Sequence, residues 1–276
     1  MTSKKIESSH WYTRDGKPAH TQPTKKGAKN PFRATNIKDA KEFGLMPSVS
    51  AYTKMLAAPG LERYKMMKVA EACYASPPHP GEEMAEYVQN MLEKSKEDGM
   101  GAADLGTQVH AAIEALLRGN EYENYEVEVA NGHSCWISKL VEPAFNKIEE
   151  HGLNVMNAEL VLVNNAEGYA GTTDVVHRSK RGKGILDWKS KRTKEGEPIF
   201  PNETHPMQIA AYYVAAFNDS EFDDALCMNV YISTTEPGRV DVVRYEREQL
   251  IEAYKDFLCL TRLWRSQNNY DPRNSA

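Results

Sequence analysis

The feature that most constrains the fold is a pair of β-type segments separated by a short basic turn. The segments "YAGTTDVVHRS" (169–179) and "ILDWKSK" (185–191) are rich in β-branched and aromatic residues, and "KRGKG" begins one residue after the first ends. Two such segments joined by few residues are typical of an antiparallel β-hairpin. The position of the turn then fixes which residues lie opposite each other, and a slip of one residue inverts the faces.

This hairpin predicts a cluster of charged side chains on one face. A turn centred on Lys180 and Arg181 places Asp174 opposite Asp187, and Lys189 shares the face of Asp187 because strand side chains alternate. One interpretation is a solvated face with a weak ion pair. The other is a metal site beside a catalytic lysine, because a divalent cation relieves the repulsion between two close carboxylates. Oxygen ligands of this kind favour Mg²⁺ or Mn²⁺.

The remaining periodicities predict an α/β fold with a central mixed β-sheet flanked by helices. The further strands are expected over 157–164, 225–233 and 239–246. The helices are expected over 49–57, 61–75, 82–98 with Gly99 as its end, 102–119, 133–151, 206–218 and 247–267.

Composition indicates a soluble globular protein. The chain has 276 residues, of which 41% are hydrophobic and 26% charged, and no apolar run approaches the roughly 20 residues of a membrane helix. The first residues lack the apolar core of a secretory signal. The cysteines form no C-x-x-C pair, which argues against a zinc ribbon and favours reduced thiols in a cytoplasmic protein, with a four-cysteine iron–sulfur cluster as the alternative. They are Cys73, Cys135, Cys227 and Cys259.

Positive charge is concentrated in two segments although the net charge is −5. Residues 1–45 hold ten Lys/Arg and four Asp/Glu, and residues 178–194 hold eight Lys/Arg and one acid. Such segregation allows local binding of a polyanion. The alternative is a basic disordered tail and a solvated hairpin tip. Because residues 1–45 are polar and show little periodicity, we expect an extended or partly disordered arm there.

Other candidate site residues each have a plain structural alternative. Glu159 lies inside the apolar "ELVLV", where it either faces solvent or needs a partner or a metal. His110 lies on a predicted helix one turn before Glu114, and a lone helix histidine is often structural. Gln208 and Tyr212 are also one turn apart, either at a site or along the polar edge of an amphipathic helix.

Taken together and in order, these motifs resemble the PD-(D/E)-x-K nuclease superfamily. Within it they are similar to the RecB-like and mitochondrial genome maintenance exonuclease branch. The upstream "LMPSVSAYTKML" and "PGLERYK" also resemble phage and bacterial relatives, so that the resemblance covers about residues 45–260. The motifs are G-T-x-x-H-x-x-x-E (106–114), E (159), G-T-T-D (171–174), D-W-K (187–189) and Q-x-x-x-Y (208–212).

The resemblance implies a role for each matching position. The metal ligands would be His110, Asp174, Asp187 and the carbonyl of Trp188. Lys189 would be the catalytic lysine, Glu159 an accessory acid and Gln208 a residue that holds the active-site face. Tyr212 would approach the nucleic acid, and we expect Lys183, Lys191 and Arg192 to contact its phosphates. Some RecB-like nucleases carry a four-cysteine iron–sulfur cluster, but the cysteine spacing here does not match, so we expect none.

The resulting expectation is a Mg²⁺- or Mn²⁺-dependent DNA exonuclease that prefers single strands and serves DNA repair, recombination or replication. An endonuclease with the same site and a catalytically silent nucleic-acid-binding protein are the alternatives. The expected organisation is the arm at 1–45 and one nuclease domain at 46–276, with a helical part at 46–100 and a restriction-endonuclease-like core at 101–276. We expect a monomer in the cytoplasm of a bacterium or of a phage host, with no membrane partner.

Overall fold

The computed structural model describes residues 10–25 and 28–274, without the side chains of residues 97–100, 102 and 131. Its strands are β1 (Trp11–Tyr12), β2 (Thr21–Pro23), β3 (Phe32–Ala34), β4 (Met46–Pro47), β5 (Glu126–Glu128), β6 (Ser134–Trp136), β7 (Asn154–Asn164), β8 (Tyr169–Ser179), β9 (Gly182–Lys191), β10 (Cys227–Ser233) and β11 (Val240–Tyr245).

Helices precede, separate and follow the long strands. None of the helices among the described residues has the length and apolar character needed to cross a membrane. The α-helices are α1 (Ile37–Phe43), α2 (Val49–Thr53), α3 (Pro59–Ala75), α4 (Met84–Lys94), α5 (Glu97–Leu117), α6 (Ser138–Glu150), α7 (Thr204–Phe217) and α8 (Arg247–Asn268), and a 3₁₀ turn spans Ala130–Gly132.

The central sheet is mixed and has five strands in the order β11-β10-β9-β8-β7. Adjacent strands of this sheet are antiparallel, except that β9 and β10 are parallel. The chain passes from β9 to β10 through α7. Ser179 pairs with Gly182 and Val175 with Leu186, so the two-residue turn at Lys180 and Arg181 is confirmed. The predicted α/β fold with a mixed sheet between helices is confirmed as well.

Two apolar clusters cover the two faces of this sheet. Helices α2, α7 and α8 pack on one face, and α5 and α6 pack on the other. Along β9, Ile185 belongs to the first cluster, whereas Leu186 and Trp188 belong to the second. Because strand side chains alternate, Asp187 and Lys189 lie on the face that also carries Ile185 and α7.

Several helix boundaries differ from the prediction, and the helix expected over 49–57 ends at Thr53. Gly99 does not end a helix but lies within the first turn of α5, and the break falls instead between α4 and α5. A glycine costs about 1 kcal/mol in a helix, which tertiary packing can override. The helix expected from residue 133 begins at Ser138, because Ser134–Trp136 pairs with Glu126–Glu128 as a two-stranded ribbon.

The described part of the expected arm is folded rather than extended. Trp11 pairs with Pro47 across β1 and β4, and its buried ring contacts the ring of Trp264 edge-on at 6.1 Å. Trp11 and its neighbour Tyr12 are both buried, and their rings supply the apolar contact that anchors this polar segment to the core. Residues 1–9 lie outside the described residues, and the domain boundary at residue 45 stays a prediction.

Candidate active site

The acidic centre of the site forms where β8 and β9 run side by side. The paired register of β8 and β9 ends at Val175 and Leu186, and Asp174 and Asp187 are the next residues on the two strands. Both acids are buried, with 9% and 3% of their surface exposed. Asp174 Oδ2 accepts a hydrogen bond of 2.7 Å from the backbone amide of Trp188. The hairpin therefore brings two carboxylates together and holds one of them against the backbone of the neighbouring strand.

Lys189 pairs with Asp187 at this centre. Lys189 Nζ lies 2.6 Å from Asp187 Oδ2, and a quarter of the lysine side chain stays exposed. Burial raises the pKa of Asp187 to about 6, against the opposing effect of Lys189. Burial acts to lower the pKa of Lys189, but the charges of Asp187 and Asp174 raise it above its ordinary value. The acid and the base sought from the sequence are thus a close pair, partly screened from water.

Helix α5 brings His110 to the same centre. His110 Nδ1 lies 3.6 Å from Asp174 Oδ1. Burial acts to lower the pKa of His110, but the nearby carboxylate of Asp174 raises it above its ordinary value. Ligand atoms of His110, Glu159 and Asp174 all lie within 4.8 Å of one another. The histidine therefore faces the acidic centre rather than the core alone.

Glu159 reaches this centre from the middle of β7. Ala158 pairs with Val175 and Leu160 with Thr173 in one unbroken register, so Glu159 lies opposite Asp174. Its φ of 49° lies in the left-handed region, which costs a residue other than glycine about 1 kcal/mol. Burial, followed by the charges of Asp174 and nearby Glu114, raises the pKa of Glu159 to about 7. Glu159 is thus half-buried against other acids and does not simply face solvent.

Helix α7 covers the centre with Gln208 and Tyr212. Gln208 Nε2 donates to the Tyr212 hydroxyl at 3.4 Å. The Tyr212 ring is buried, with 4% exposed, and a Cβ added to Gly171 would lie 2.8 Å from it. The glycine on β8 makes room for the ring, which therefore packs onto the sheet. A ring so buried offers no face on which a base could stack, and the expected approach of Tyr212 to the nucleic acid stays a prediction.

Two of the expected phosphate-binding residues lie beyond the centre at the end of β9. Lys191 Nζ donates to the Phe200 carbonyl and lies 5.6 Å from the centroid of the Tyr231 ring. Arg192 lines a groove of about 660 Å³ between α5, the β5–β6 ribbon and α3. Lys191 is therefore the last residue of β9, two past Lys189, and Arg192 follows the end of the strand. Their contact with phosphates stays a prediction.

Lys183 lies apart from this group. It is four residues before Asp187, which is about 13 Å along a strand. Its Nζ lies 3.1 Å from Asp219 Oδ2 and 5.7 Å and 5.3 Å from the ring centroids of Tyr213 and Phe217. Lys183 therefore contacts residues at the end of α7 and lies away from the acidic centre.

Four polar residues of the site did not emerge from the sequence. Asn229 donates to Asp187 Oδ2 at 2.8 Å, and the Tyr245 hydroxyl donates to Asn229 Oδ1 at 2.6 Å. His205, at the start of α7, shares a hydrogen bond of 2.7 Å with the Tyr231 hydroxyl. Burial, with smaller effects of two nearby lysines, lowers the pKa of His205 to about 4. The available signal was a polar residue inside the apolar run "CMNVYIS", which predicts a buried partner but does not identify it.

The donor set fits a hard divalent cation. The ligand atoms of Glu159, Asp174 and His110 lie together, and Asp187 is close enough to feel the charge of Asp174. Burial and repulsion between the acids raise the pKa values of Asp187 and Glu159. A cation compensates both effects, because it supplies positive charge where water is partly excluded. Oxygen-rich ligation is what Mg²⁺ and Mn²⁺ prefer. The residues that would hold a cation are His110, Glu159, Asp174 and Asp187.

Comparison with known proteins identifies the family. A family model described as the PD-(D/E)XK nuclease superfamily matches residues 84–275, which is more than half of the chain. No curated protein matches. Among solved structures, one titled "Crystal structure of SSO0001" is 17% identical, covers 72% of this chain and 86% of its own, and has a TM-score of 0.27. On the strength of the family match, the chain belongs to the PD-(D/E)XK nuclease superfamily and is a metal-dependent nuclease.

Proposed function

We propose that the protein is a Mg²⁺- or Mn²⁺-dependent DNA exonuclease that prefers single-stranded ends and acts in repair, recombination or replication. The observation that supports this most is the convergence of Asp174, Asp187 and Lys189 on two adjacent strands, with His110 beside them. Two carboxylates, a lysine and an imidazole at one partly open position are suited to phosphodiester hydrolysis.

Each residue then has a task that its position permits. A divalent cation, when bound, would polarise the phosphoryl group and favour ionisation of the attacking water. Asp174 and Asp187 would bind it through carboxylate oxygens, with His110 and Glu159 as further ligands. Lys189 has three N–H donors and one close acid, so it can also donate to a phosphoryl oxygen and stabilise the charge that develops there.

The preference for ends and for single strands depends on the resemblance to the RecB-like and mitochondrial exonuclease branch. An endonuclease would use the same residues, because the site chemistry does not determine whether a strand must have an end. A catalytically silent nucleic-acid-binding protein is the other alternative. The complete set of acids and lysine favours an enzyme over a silent protein.

Digestion of labelled DNA tests the proposal. End-labelled single-stranded DNA, the matching duplex and a circular single strand would be incubated with the protein in Mg²⁺ or Mn²⁺, and in EDTA as a blank. We expect the linear single strand to be degraded fastest and the circle to persist. Cleavage of the circle at the rate of the linear strand would instead establish an endonuclease.

A matched pair of variants links the cleavage to this site. Asp187→Asn removes a charge without changing the side-chain volume and should abolish cleavage. Glu123→Gln makes the same chemical change at an exposed residue in the loop after α5 and should leave cleavage at the wild-type rate. Wild-type cleavage by Asp187→Asn would refute the assignment of the site.

A further inference from the structure

Asn229 is a buried polar residue on β10 that contacts the acidic centre. It has no exposed surface and lies in register with Asp187 across the parallel β9–β10 pair. Its Nδ2 donates to Asp187 Oδ2 at 2.8 Å and lies 3.3 Å from the backbone carbonyl of the same residue. The side chain is therefore committed to Asp187 through both the carboxylate and the main chain.

Tyr245, on β11, determines which way the Asn229 amide faces. An ionised carboxylate only accepts hydrogen bonds, so the amide must present its NH₂ to Asp187 and its oxygen to the opposite side. The Tyr245 hydroxyl donates to that oxygen at 2.6 Å, and the tyrosine is 6% exposed. A reversed amide would place its oxygen against the carboxylate and lose both hydrogen bonds. Tyr245, Asn229 and Asp187 thus form a hydrogen-bonded chain in which each residue donates to the next.

The hydrogen-bonded chain holds the Asp187 carboxylate through one of its two oxygens. Lys189 and Asn229 both donate to Oδ2, from 2.6 Å and 2.8 Å. Among the residues that the structure describes, no hydrogen bond to Oδ1 is seen. Two donors on one oxygen fix the rotation of the carboxylate about its Cβ–Cγ bond. The remaining oxygen is then held in one direction before any ligand arrives.

We propose that Asn229 and Tyr245 are positioning residues that orient the Asp187 carboxylate for a divalent cation. The inference rests on the proposed function of this site and adds two residues from strands that carry none of its expected ligands. Partners that orient a metal ligand change metal affinity by about 10-fold to 100-fold when they are removed. A purely structural hydrogen bond of equal burial would change stability without changing cation affinity.

The test compares two variants. One removes a hydroxyl from the hydrogen-bonded chain, and the other removes a buried hydroxyl from another part of the protein. Tyr245→Phe deletes the donor to Asn229 and keeps the ring. Tyr52→Phe is the matched control, because the buried Tyr52 hydroxyl donates to the Gly168 carbonyl at 2.7 Å, in the core around α2 and α8. Mn²⁺ alone would be titrated into the wild-type protein and both variants by calorimetry, with thermal melts of the cation-free proteins in parallel.

We expect both variants to melt at slightly lower temperature, whereas only Tyr245→Phe loses about 10-fold or more in Mn²⁺ affinity. Its cleavage rate should be low at limiting cation and should recover as the cation concentration rises. Asn229→Ala should show a larger loss of affinity. If that variant does not fold, Tyr245→Phe decides the question alone.

Two negative results have different meanings. If the wild-type protein binds Mn²⁺ and Tyr245→Phe binds it equally well, the chain is structural and this inference is wrong, while the proposed function stands. If the wild-type protein binds neither Mn²⁺ nor Mg²⁺, the proposed function fails and this inference fails with it.

Discussion

Replacing Glu159 by glutamine should stabilise the cation-free protein at alkaline pH and not at acidic pH. Burial and neighbouring acids raise the pKa of Glu159 from its ordinary value of 4.5 to about 7. The folded state therefore holds the proton more tightly than the unfolded state. For a raised carboxyl pKa, stability falls as the pH rises from about 4.5 through about 7. The glutamine variant carries no such ionisation.

The size of the effect follows from the same shift. Such a difference in the pKa of Glu159 between the folded and unfolded protein changes the free energy of unfolding by at most about 3 kcal/mol. Glu159 is only half-buried, so water screens part of the repulsion, and we reduce the expectation to about 1–2 kcal/mol. In a chain of this size, that corresponds to a gain of roughly 2–8 °C in melting temperature. The left-handed φ at residue 159 remains in both proteins and cancels.

The assay is guanidinium unfolding of the wild-type protein and Glu159→Gln in EDTA, at about pH 5 and about pH 8. We expect the free energy of unfolding of the variant to exceed that of the wild type by about 1–2 kcal/mol more at the higher pH than at the lower. Glu123→Gln, at an exposed loop position, should show no such difference. An equal effect of Glu159→Gln at both pH values would refute the account of Glu159 as an acid buried among acids.

Three further outcomes are expected. His110→Ala should weaken Mn²⁺ binding by about 10-fold or more, and superimposed calorimetric curves for variant and wild type would mean that the histidine is structural. Neutralising Lys191 and Arg192 together should flatten the salt dependence of single-stranded DNA binding in Ca²⁺ by about 1.4 in log–log slope, whereas neutralising the two residues of the β8–β9 turn should not. Gly184→Ala should cost about 3 kcal/mol in urea unfolding, because its Cβ would lie 1.8 Å from a backbone carbonyl oxygen of the segment before β10, while Gly60→Ala, with open space around it, should be neutral or stabilising.

The hairpin was predictable because its interactions are local. A two-residue turn leaves one register for the strands, and alternation then determines the faces of Asp174, Asp187 and Lys189. The two helices that border the site were also predictable, since apolar periodicity identifies a helix from its own residues. His110 and Gln208 could therefore be assigned to helices, and the structure brings both helices to the hairpin.

What sequence reasoning missed depends on contacts between distant segments. The partner of Asn229 is set by the crossover through α7, which returns β10 alongside β9 in parallel, and Tyr245 arrives only with the next strand. The Tyr212 ring is buried because a glycine on β8 makes room for it, which helical periodicity does not show. The placement of Glu159 opposite Asp174 likewise depends on how β7 pairs with β8.

Strand β9 contributes both to the apolar core and to the acidic centre. The face of β9 that carries Ile185 begins as apolar core under α7, and two residues later the same face carries Asp187. A buried carboxylate is costly unless donors surround it. Here the donors come from the next residue on that face, Lys189, and from the neighbouring strand through Asn229. The parallel neighbour is therefore as necessary to this centre as the antiparallel hairpin, because without β10 the acid would be buried with the lysine as its only donor among the described residues. The site therefore lies where the antiparallel and parallel halves of the mixed sheet meet.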